Sequence, residues 1–287
     1  MNITGAAKLA GVVGWPISHS LSPRLHGYWI REYSLDAAYV PLAIRKEDFA
    51  AALNGLRRAG FKGVNVTVPH KEAAFALADR RDHAAEVAGA ANLLLFGEDG
   101  IEARNTDPTG LCASLREGMD ASALMGAKAA IWGAGGMARA ACCALSELGV
   151  SEIRILNRNV GRAQSLAASV APKIKAKLVP MGFDGWIGAG KDVALLVHAT
   201  SAGMNGTPSV DLPLDPLPKD ALVVDGVYNP LETGLLARAR ACGLKTIDGL
   251  GMLMHQAVPA FAAFYGVEPE VSAALRSMLE EALEHGR

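Results

Sequence analysis

The sequence predicts an α/β protein of two domains, an N-terminal α/β domain completed by C-terminal helices and a doubly wound α/β domain inserted between its two parts. Three observations carry this prediction. The chain has 287 residues, more than one hydrophobic core usually serves. Short apolar runs alternate with helical patterns along most of its length. Two of the runs, 193–199 and 222–227, are apolar almost throughout, as suits strands of a parallel sheet covered on both faces.

The elements follow in order. Residues 9–14 read as a strand, and 23–33 as a helix with Ser22 as N-cap and Pro23 at the first helical position. A strand is expected over 38–44, then an amphipathic helix over 46–59 closed by Gly60. Residues 64–68 form a strand cut off by Pro69, and 91–105 resemble a hairpin turning at Gly97-Glu98-Asp99-Gly100. A fresh rhythm begins with a strand at 128–132, a glycine turn, a helix at 137–148, a strand at 152–157 and a helix at 160–170. After the two buried-type strands come a helix at 231–242, a short strand at 245–247, and helices at 252–264 and 269–283. In the last helix Val271, Leu275, Met278, Leu279 and Leu283 share one stripe, which reads as core packing. Residues 205–220, with four prolines, read as a surface loop. The domains are therefore expected at 1–107, completed by 248–287, and at 108–247.

Composition narrows the function classes. Hydrophobic residues are 51% and charged residues 20%, which excludes a largely disordered chain. Lys and Arg number 28 against 29 acids, a balance that argues against a nucleic-acid or anionic-membrane surface. The start, Met1 to Leu9, lacks the long apolar stretch of a signal peptide, and no run approaches a membrane span. Cys112, Cys142, Cys143 and Cys242 form no C-x-x-C pair and read as buried small hydrophobes in a reducing compartment. His19, His26, His70 and His255 have no metal-ligand spacing and read as core or hydrogen-bonding residues. A cytoplasmic protein without a bound metal is expected.

The most informative turn is Gly133-Ala134-Gly135-Gly136-Met137-Ala138, which is G-x-G-x-x-A between a strand and a helix. Gly133 allows a tight turn, Gly135 lets the backbone approach a pyrophosphate, and Ala138 lets the helix pack on the strand. The phosphates then meet a helix N-terminus, where free N–H groups and the helix dipole favour anions. This is the fingerprint of a Rossmann-type dinucleotide site. A ribose-binding acid is expected about 20 residues further on when the ligand is NAD. Here the second strand ends Leu156-Asn157-Arg158-Asn159, with Arg162 following. Two guanidiniums suit a 2′-phosphate dianion, so NADP is predicted as the cofactor.

Five polar clusters stand in apolar surroundings. They are Ser20 and Ser22, Asn65-Val66-Thr67-Val68-Pro69-His70-Lys71, Asn92, Asn105-Thr106-Asp107, and Gln256 in the segment that starts at Asp248. Reducing a ketone needs a hydride from nicotinamide and a proton from a positioned acid. A cyclic polyhydroxy acid needs hydroxyl and amide groups for its own hydroxyls and donors for its carboxylate.

The motif set G-x-P-I-x-H-S-x-S-P, N-V-T-V-P-x-K, A-N, N-T-D, G-A-G-G, N-R-x-x-x-R, A-T-S-A-G-M, V-Y-N-P-L-x-T and D-G-L-G-M-L, in order from about Val12 to Ala263, resembles the shikimate dehydrogenase family. The resemblance implies reversible, NADP-dependent reduction of 3-dehydroshikimate to shikimate, a step toward chorismate and the aromatic amino acids. It implies that Ser20, Ser22 and Tyr228 approach the substrate carboxylate and that Thr67, Asn92 and Gln256 bind ring hydroxyls. Lys71 and Asp107 match the catalytic pair. Thr200, Ser201, Gly249 and Met252 fall in segments that border the cofactor, together with Gly133 to Ala138, Asn157, Arg158, Asn159 and Arg162. Plainer roles also fit: Asp107, before Pro108, is in place to N-cap the next helix, and Thr67 to be an ordinary strand residue. Three positions depart from the family pattern: Pro108 replaces a glycine, His198 the asparagine of N-A-T-S, and Gly234 a proline. The alternatives are a quinate/shikimate or aminoshikimate-type dehydrogenase of the same fold, or a non-catalytic dinucleotide sensor. Monomer and homodimer both fit.

Overall fold

The computed structural model describes residues 3–204 and 207–285 and divides into two compact units. The first comprises Met1–Thr106 and Gln256–Ala282, the second Asp107–His255 and Leu283–Arg287.

The first unit contains β1 (Lys8–Gly14), α1 (Ser22–Glu32), β2 (Ala37–Ala43), α2 (Phe49–Arg58), β3 (Gly63–Val66), α3 (Lys71–Leu77), β4 (Arg80–Arg81), α4 (His83–Ala88), β5 (Leu93–Gly97) and β6 (Gly100–Arg104). Its six-stranded sheet has the order β2-β1-β3-β5-β6-β4, and only β5 runs against its neighbours β3 and β6. The expected hairpin is β5 and β6, with Gly97 paired to Gly100. Val13, Val64, Val66 and Leu94 from the sheet pack with Phe49 and Leu53 of α2.

Two helix starts differ from expectation. Ser22 is the first residue of α1, the N-cap is Leu21, and no side chain caps it. Ser20 takes over locally: its Oγ accepts the Ser22 N–H at 3.3 Å, and the Leu21 carbonyl accepts from Arg24 and Leu25. The helix expected at 46–59 opens as a 3₁₀ turn, Lys46–Asp48, before α2.

The second unit contains α5 (Asp107–Gly118), β7 (Lys128–Trp132), α6 (Gly136–Glu147), β8 (Glu152–Leu156), α7 (Val160–Val170), β9 (Lys177–Met181), α8 (Trp186–Ala189), β10 (Leu195–His198), β11 (Leu222–Asp225), α9 (Gly234–Ala241) and β12 (Lys245–Ile247). All its strands are parallel, in the order β12-β11-β10-β7-β8-β9. Counted within the unit this is the Rossmann order 3-2-1-4-5-6 read backwards, with the direction of winding reversing between β7 and β10. Trp132 and Trp186 meet edge to face at 5.1 Å in its core. The proline-rich segment expected as a surface loop also sends Leu214 and Leu217 into this core, and the Trp186 indole donates to the Pro213 carbonyl at 2.6 Å. Residues 205–206 of that segment lie outside the described residues. The helix expected from 231 begins at Gly234 because Thr233 is its N-cap, accepting the Leu236 N–H at 3.3 Å.

Helix α10 (Gly249–Tyr265) carries the chain back to the first unit, and α11 (Ala273–Glu284) follows. The division falls at His255/Gln256, later than the expected 247/248, because the first turns of α10 pack on the second unit. A Cβ at Gly249 would lie 2.7 Å from the Gly226 carbonyl, and one at Gly251 would lie 2.7 Å from the Ser114 hydroxyl. The later residues belong to the first unit: Phe261 and Phe264 pack on His26, and Tyr265 donates to the Ala38 carbonyl at 3.0 Å. Leu275 and Leu279 of the predicted stripe are fully buried. No helix among the described residues is long and apolar enough to cross a membrane. Three of the four cysteines are buried, whereas Cys242 is exposed just past the last turn of α9. Burial pushes the Cys112 and Cys142 thiols up to about 12, which keeps them protonated and inert.

Candidate active site

In the first unit the carboxyl end of β3 brings together Thr67, Lys71 and Asn92 of the predicted residues. Gly14 ends β1 beside Thr67, whose methyl would lie 2.6 Å from a Cβ at that glycine. The Thr67 N–H donates to the Val13 carbonyl and its carbonyl accepts from His70, which opens the way into α3. Lys71 is the first residue of α3, half-buried, and its carbonyl accepts the Ala91 N–H at 2.9 Å. Because β5 is antiparallel to β3, its first turn arrives at the same end of the sheet. The Asn92 carbonyl there accepts from Val66 at 2.8 Å.

Asn92 is 3% exposed and is the hub of a polar network. Its Nδ2 donates to Thr106 Oγ1 at 2.9 Å and to Gln256 Oε1 at 3.2 Å, and its Oδ1 accepts the Thr106 N–H at 2.8 Å. Asn65 extends the network by donating its Nδ2 to the Asn92 carbonyl at 3.1 Å. Tyr39 of β2 donates its hydroxyl to Asn65 Oδ1 at 2.8 Å and accepts from the Ser22 hydroxyl. Burial holds the Tyr39 phenol well above its usual range, so it remains a donor. Ser22, Tyr39, Asn65, Asn92, Thr106 and Gln256 therefore form one connected series. Buried polar groups satisfied in this way hold a single arrangement, which is what a polyol site requires.

Tyr39, Asn65 and Thr106 support that series but are absent from the predicted set. Asn65 and Thr106 lie inside recognised polar clusters, and one signal for Asn65 is a carboxamide in the buried strand β3. Tyr39 sits in an otherwise apolar strand, where only its hydroxyl sets it apart.

Asp107 follows Thr106 and is the first residue of α5, buried at 8% exposure. It lies within the helix rather than ahead of it as an N-cap, with Pro108 accommodated in the first turn. Tyr228 follows β11 in the second unit, half-buried, with burial raising its phenol.

The glycine turn joins β7 to α6. Gly133 has φ +122°, a conformation that L side chains rarely adopt, and a Cβ there would lie 2.7 Å from the Ala199 carbonyl and 2.8 Å from Thr200 Cγ2. Gly133 is thereby held against the end of β10, at the point where winding reverses and such sheets bind ligands. Gly135 is the N-cap of α6 and supplies no side-chain cap, and nothing lies within 4 Å of a Cβ at Gly135 or Gly136. Ala134 and Met137 flank them, and Ala138 is fully buried where α6 packs on the sheet. An uncapped twelve-residue helix with open space before its first N–H groups fits a pyrophosphate.

The end of β8 carries no acid. Asn157 Nδ2 donates to the Asn159 carbonyl at 2.8 Å, and Asn159 N-caps α7 by accepting the Arg162 N–H at 3.3 Å. Arg158 and Arg162 are exposed and join no ion pair among the described residues. Beyond β10, Thr200 is half-buried and Ser201 exposed. Gly249 and Met252 lie in the first turn of α10, on the second unit.

Comparison with known proteins finds matches in both units. Residues 12–94 match the shikimate dehydrogenase substrate binding domain, and residues 117–181 match the shikimate / quinate 5-dehydrogenase family. The chain is 47% identical over 281 residues to a shikimate dehydrogenase (NADP(+)) of Paramagnetospirillum magneticum, covering 96% of this chain and 99% of that protein. It superimposes with a TM-score of 0.89 on a Listeria monocytogenes shikimate 5-dehydrogenase in complex with shikimate and NAD, at 30% identity over 97% of this chain and 98% of that one. The TM-score is 0.83 with a Thermus thermophilus shikimate 5-dehydrogenase in complex with NADP(H) and shikimate, at 34% identity over 98% and 100% of the two chains. By these matches the chain belongs to the shikimate dehydrogenase family.

Proposed function

We propose that the protein catalyses the reversible, NADP-dependent reduction of 3-dehydroshikimate to shikimate. The observation that carries this reading is the convergence of Thr67, Lys71, Asn92 and Gln256, linked through β3 and β5, at one end of one sheet. Asn92, Gln256 and Thr67 bind the ring hydroxyls, and Ser20, Ser22 and Tyr228 take the carboxylate. Bound NADPH supplies the hydride. The protonated Lys71 ammonium gives its proton to the developing alkoxide oxygen and stabilises the charge there. Asp107 is the second member of the proposed catalytic pair. In the oxidative direction the same groups take the proton back.

NADP rather than NAD follows from this chain's own residues. Arg158 and Arg162 are free of ion pairs among the described residues and offer guanidinium forks to a 2′-phosphate, and no carboxylate at the end of β8 competes for a ribose diol. A small-molecule substrate, a monomeric or homodimeric state and a cytoplasmic location complete the reading; the last suits four free cysteines.

One assay tests the reading. Purified protein is given shikimate or quinate with NADP or NAD, and the absorbance of reduced cofactor is followed. Rapid reduction with shikimate and NADP is expected. Faster turnover of quinate, or equal turnover with NAD at matched concentration, overturns the substrate or the cofactor assignment respectively.

A further inference from the structure

Four side chains near the reversal point of the second unit's sheet form a hydrogen-bonded series to which the proposed reaction gives no task. His198 is the last residue of β10 and Asp225 the last of β11, and the two are register partners. Both are buried, at 1% and 0% exposure. Asp225 Oδ1 accepts the Val227 N–H at 2.9 Å, and Oδ2 accepts the Thr233 hydroxyl at 2.6 Å. Thr233 Oγ1 itself accepts from Leu236, so its proton is directed to the carboxylate. The carboxylate has only acceptors to offer, so the His198 ring presents its Nδ1–H to Oδ1, at 2.7 Å.

The other ring nitrogen, Nε2, meets Thr200 Oγ1 at 2.6 Å. That oxygen also accepts the Ala202 N–H at 3.1 Å. A threonine hydroxyl held by an imidazole on one side and a backbone amide on the other has one rotamer. The same threonine places its methyl where a side chain at Gly133 would stand. Its hydroxyl is thus held beside the turn that leads to the phosphate-binding end of α6.

We propose that His198 and Asp225 are a positioning pair that holds the Thr200 hydroxyl as part of the surface that binds the dinucleotide. This rests on the NADP assignment above and adds to it a residue in which the chain departs from the asparagine usual at that position. Asparagine reaches as far as Nδ1 of histidine, so it serves Asp225 but ends short of Thr200. Histidine serves both, and so couples the buried carboxylate to a half-buried hydroxyl.

The test is a double-mutant cycle on the intact enzyme, with NADPH and shikimate affinities titrated separately. His198→Asn keeps a donor for Asp225 and releases Thr200. Thr200→Val deletes the hydroxyl at nearly constant volume and leaves Asp225 untouched. Each variant is expected to weaken NADPH binding on the order of fivefold to tenfold, the range one hydrogen bond supplies, while shikimate affinity and the melting temperature stay near those of the parent. The double variant is expected to bind NADPH no worse than Thr200→Val alone. Parental NADPH affinity in either single variant, or losses that multiply in the double, overturns the proposal. These outcomes are separable from failure of the functional reading, which appears in the parent enzyme as absence of NADPH binding and of shikimate-dependent NADP reduction and overturns both.

Discussion

At the level of single side chains, the roles proposed for Lys71 and for the arginine pair make separate predictions. Lys71 opens α3 with its backbone tied to Ala91, so truncating its side chain leaves the local fold in place. Lys71→Ala is expected to lower kcat by roughly 10²–10⁴-fold, the usual contribution of a positioned proton donor. KM for shikimate changes little, because Asn92, Thr106 and Gln256 keep their hydrogen bonds. Steady-state kinetics decide it, and a near-parental kcat removes Lys71 from the mechanism. The role proposed for the arginines is in binding instead. Replacing Arg158 and Arg162 together with alanine is expected to raise KM for NADPH about tenfold or more, the effect of losing a charge-assisted hydrogen bond at an exposed site. KM for NADH stays within about twofold, since NADH has no 2′-phosphate to lose. An equal rise for both cofactors would place the two arginines elsewhere than at the ribose.

Among the elements, the glycine turn separates a requirement of the fold from a requirement of the ligand. Gly133→Ala puts a Cβ against the Ala199 carbonyl in a left-handed conformation, a strain of about 1–3 kcal/mol before the clash is counted. A lower melting temperature is expected with it. Gly135→Ala meets no atom within 4 Å and has an extended backbone, so the protein melts normally, yet the new methyl stands where a pyrophosphate would lie. Calorimetry with NADPH titration distinguishes the two, and strong NADPH binding by Gly135→Ala would move the phosphates off this turn.

That turn was legible in the sequence because a strand period, three glycines and a helical period meet there. Other elements left no such mark. Strand β9 carries Pro180, which sequence rules count against a strand; it is tolerated because β9 is the edge of its sheet. Strand β4 has two residues and helices α3 and α4 have seven and six, too short to show a period. Ser22 has the composition and the place of an N-cap, but Ser20 and the Leu21 carbonyl take that role and leave its hydroxyl to Tyr39. The predicted site residues stand out as polar groups in apolar runs, whereas Tyr39, which joins Ser22 to Asn65, is recognised only once β2 and β3 are placed in one sheet.

Helix α1 supplies the pH-dependent element. His26 lies on its buried face, stacked on Tyr39 with ring centroids 3.9 Å apart, and its Nδ1 has no hydrogen-bond partner. Burial lowers its pKa from 6.5 to about 3. The folded protein therefore keeps the ring neutral while the unfolded chain takes up a proton below about pH 6.5. The contribution is fully present above that pH and is lost as the pH falls toward 3, at about 1.4 kcal/mol per unit. His26→Phe keeps a stacked ring without titrating. It is expected to abolish about 2 kcal/mol of the stability lost between pH 7 and pH 5, as read from urea unfolding at the two pH values. An unchanged pH slope would mean that the ring is not held neutral in the fold.

At the scale of the whole molecule, each unit has its own sheet and its own core, and the proposed ligands divide between them. A ligand that binds only the native state stabilises what it touches, by about 2.7 kcal/mol at a hundredfold excess over its Kd. Exchange of backbone amides that open locally slows where that energy is felt. NADP alone is therefore expected to slow exchange in the second unit, most strongly from Gly133 to Ala138, where the first turn of α6 offers N–H groups that no side chain caps. Shikimate alone is expected to slow exchange in the first unit, around Ser22, Thr67 and Asn92, because the series from Ser22 to Gln256 is continuous and a ligand bound to one member restrains the rest. Hydrogen exchange followed by mass spectrometry resolves the two footprints. Protection by NADP confined to residues 3–106 would assign the dinucleotide to the other sheet, and with it would fall the roles of the glycine turn, of Arg158 and Arg162, and of the Thr200 hydroxyl in holding the cofactor.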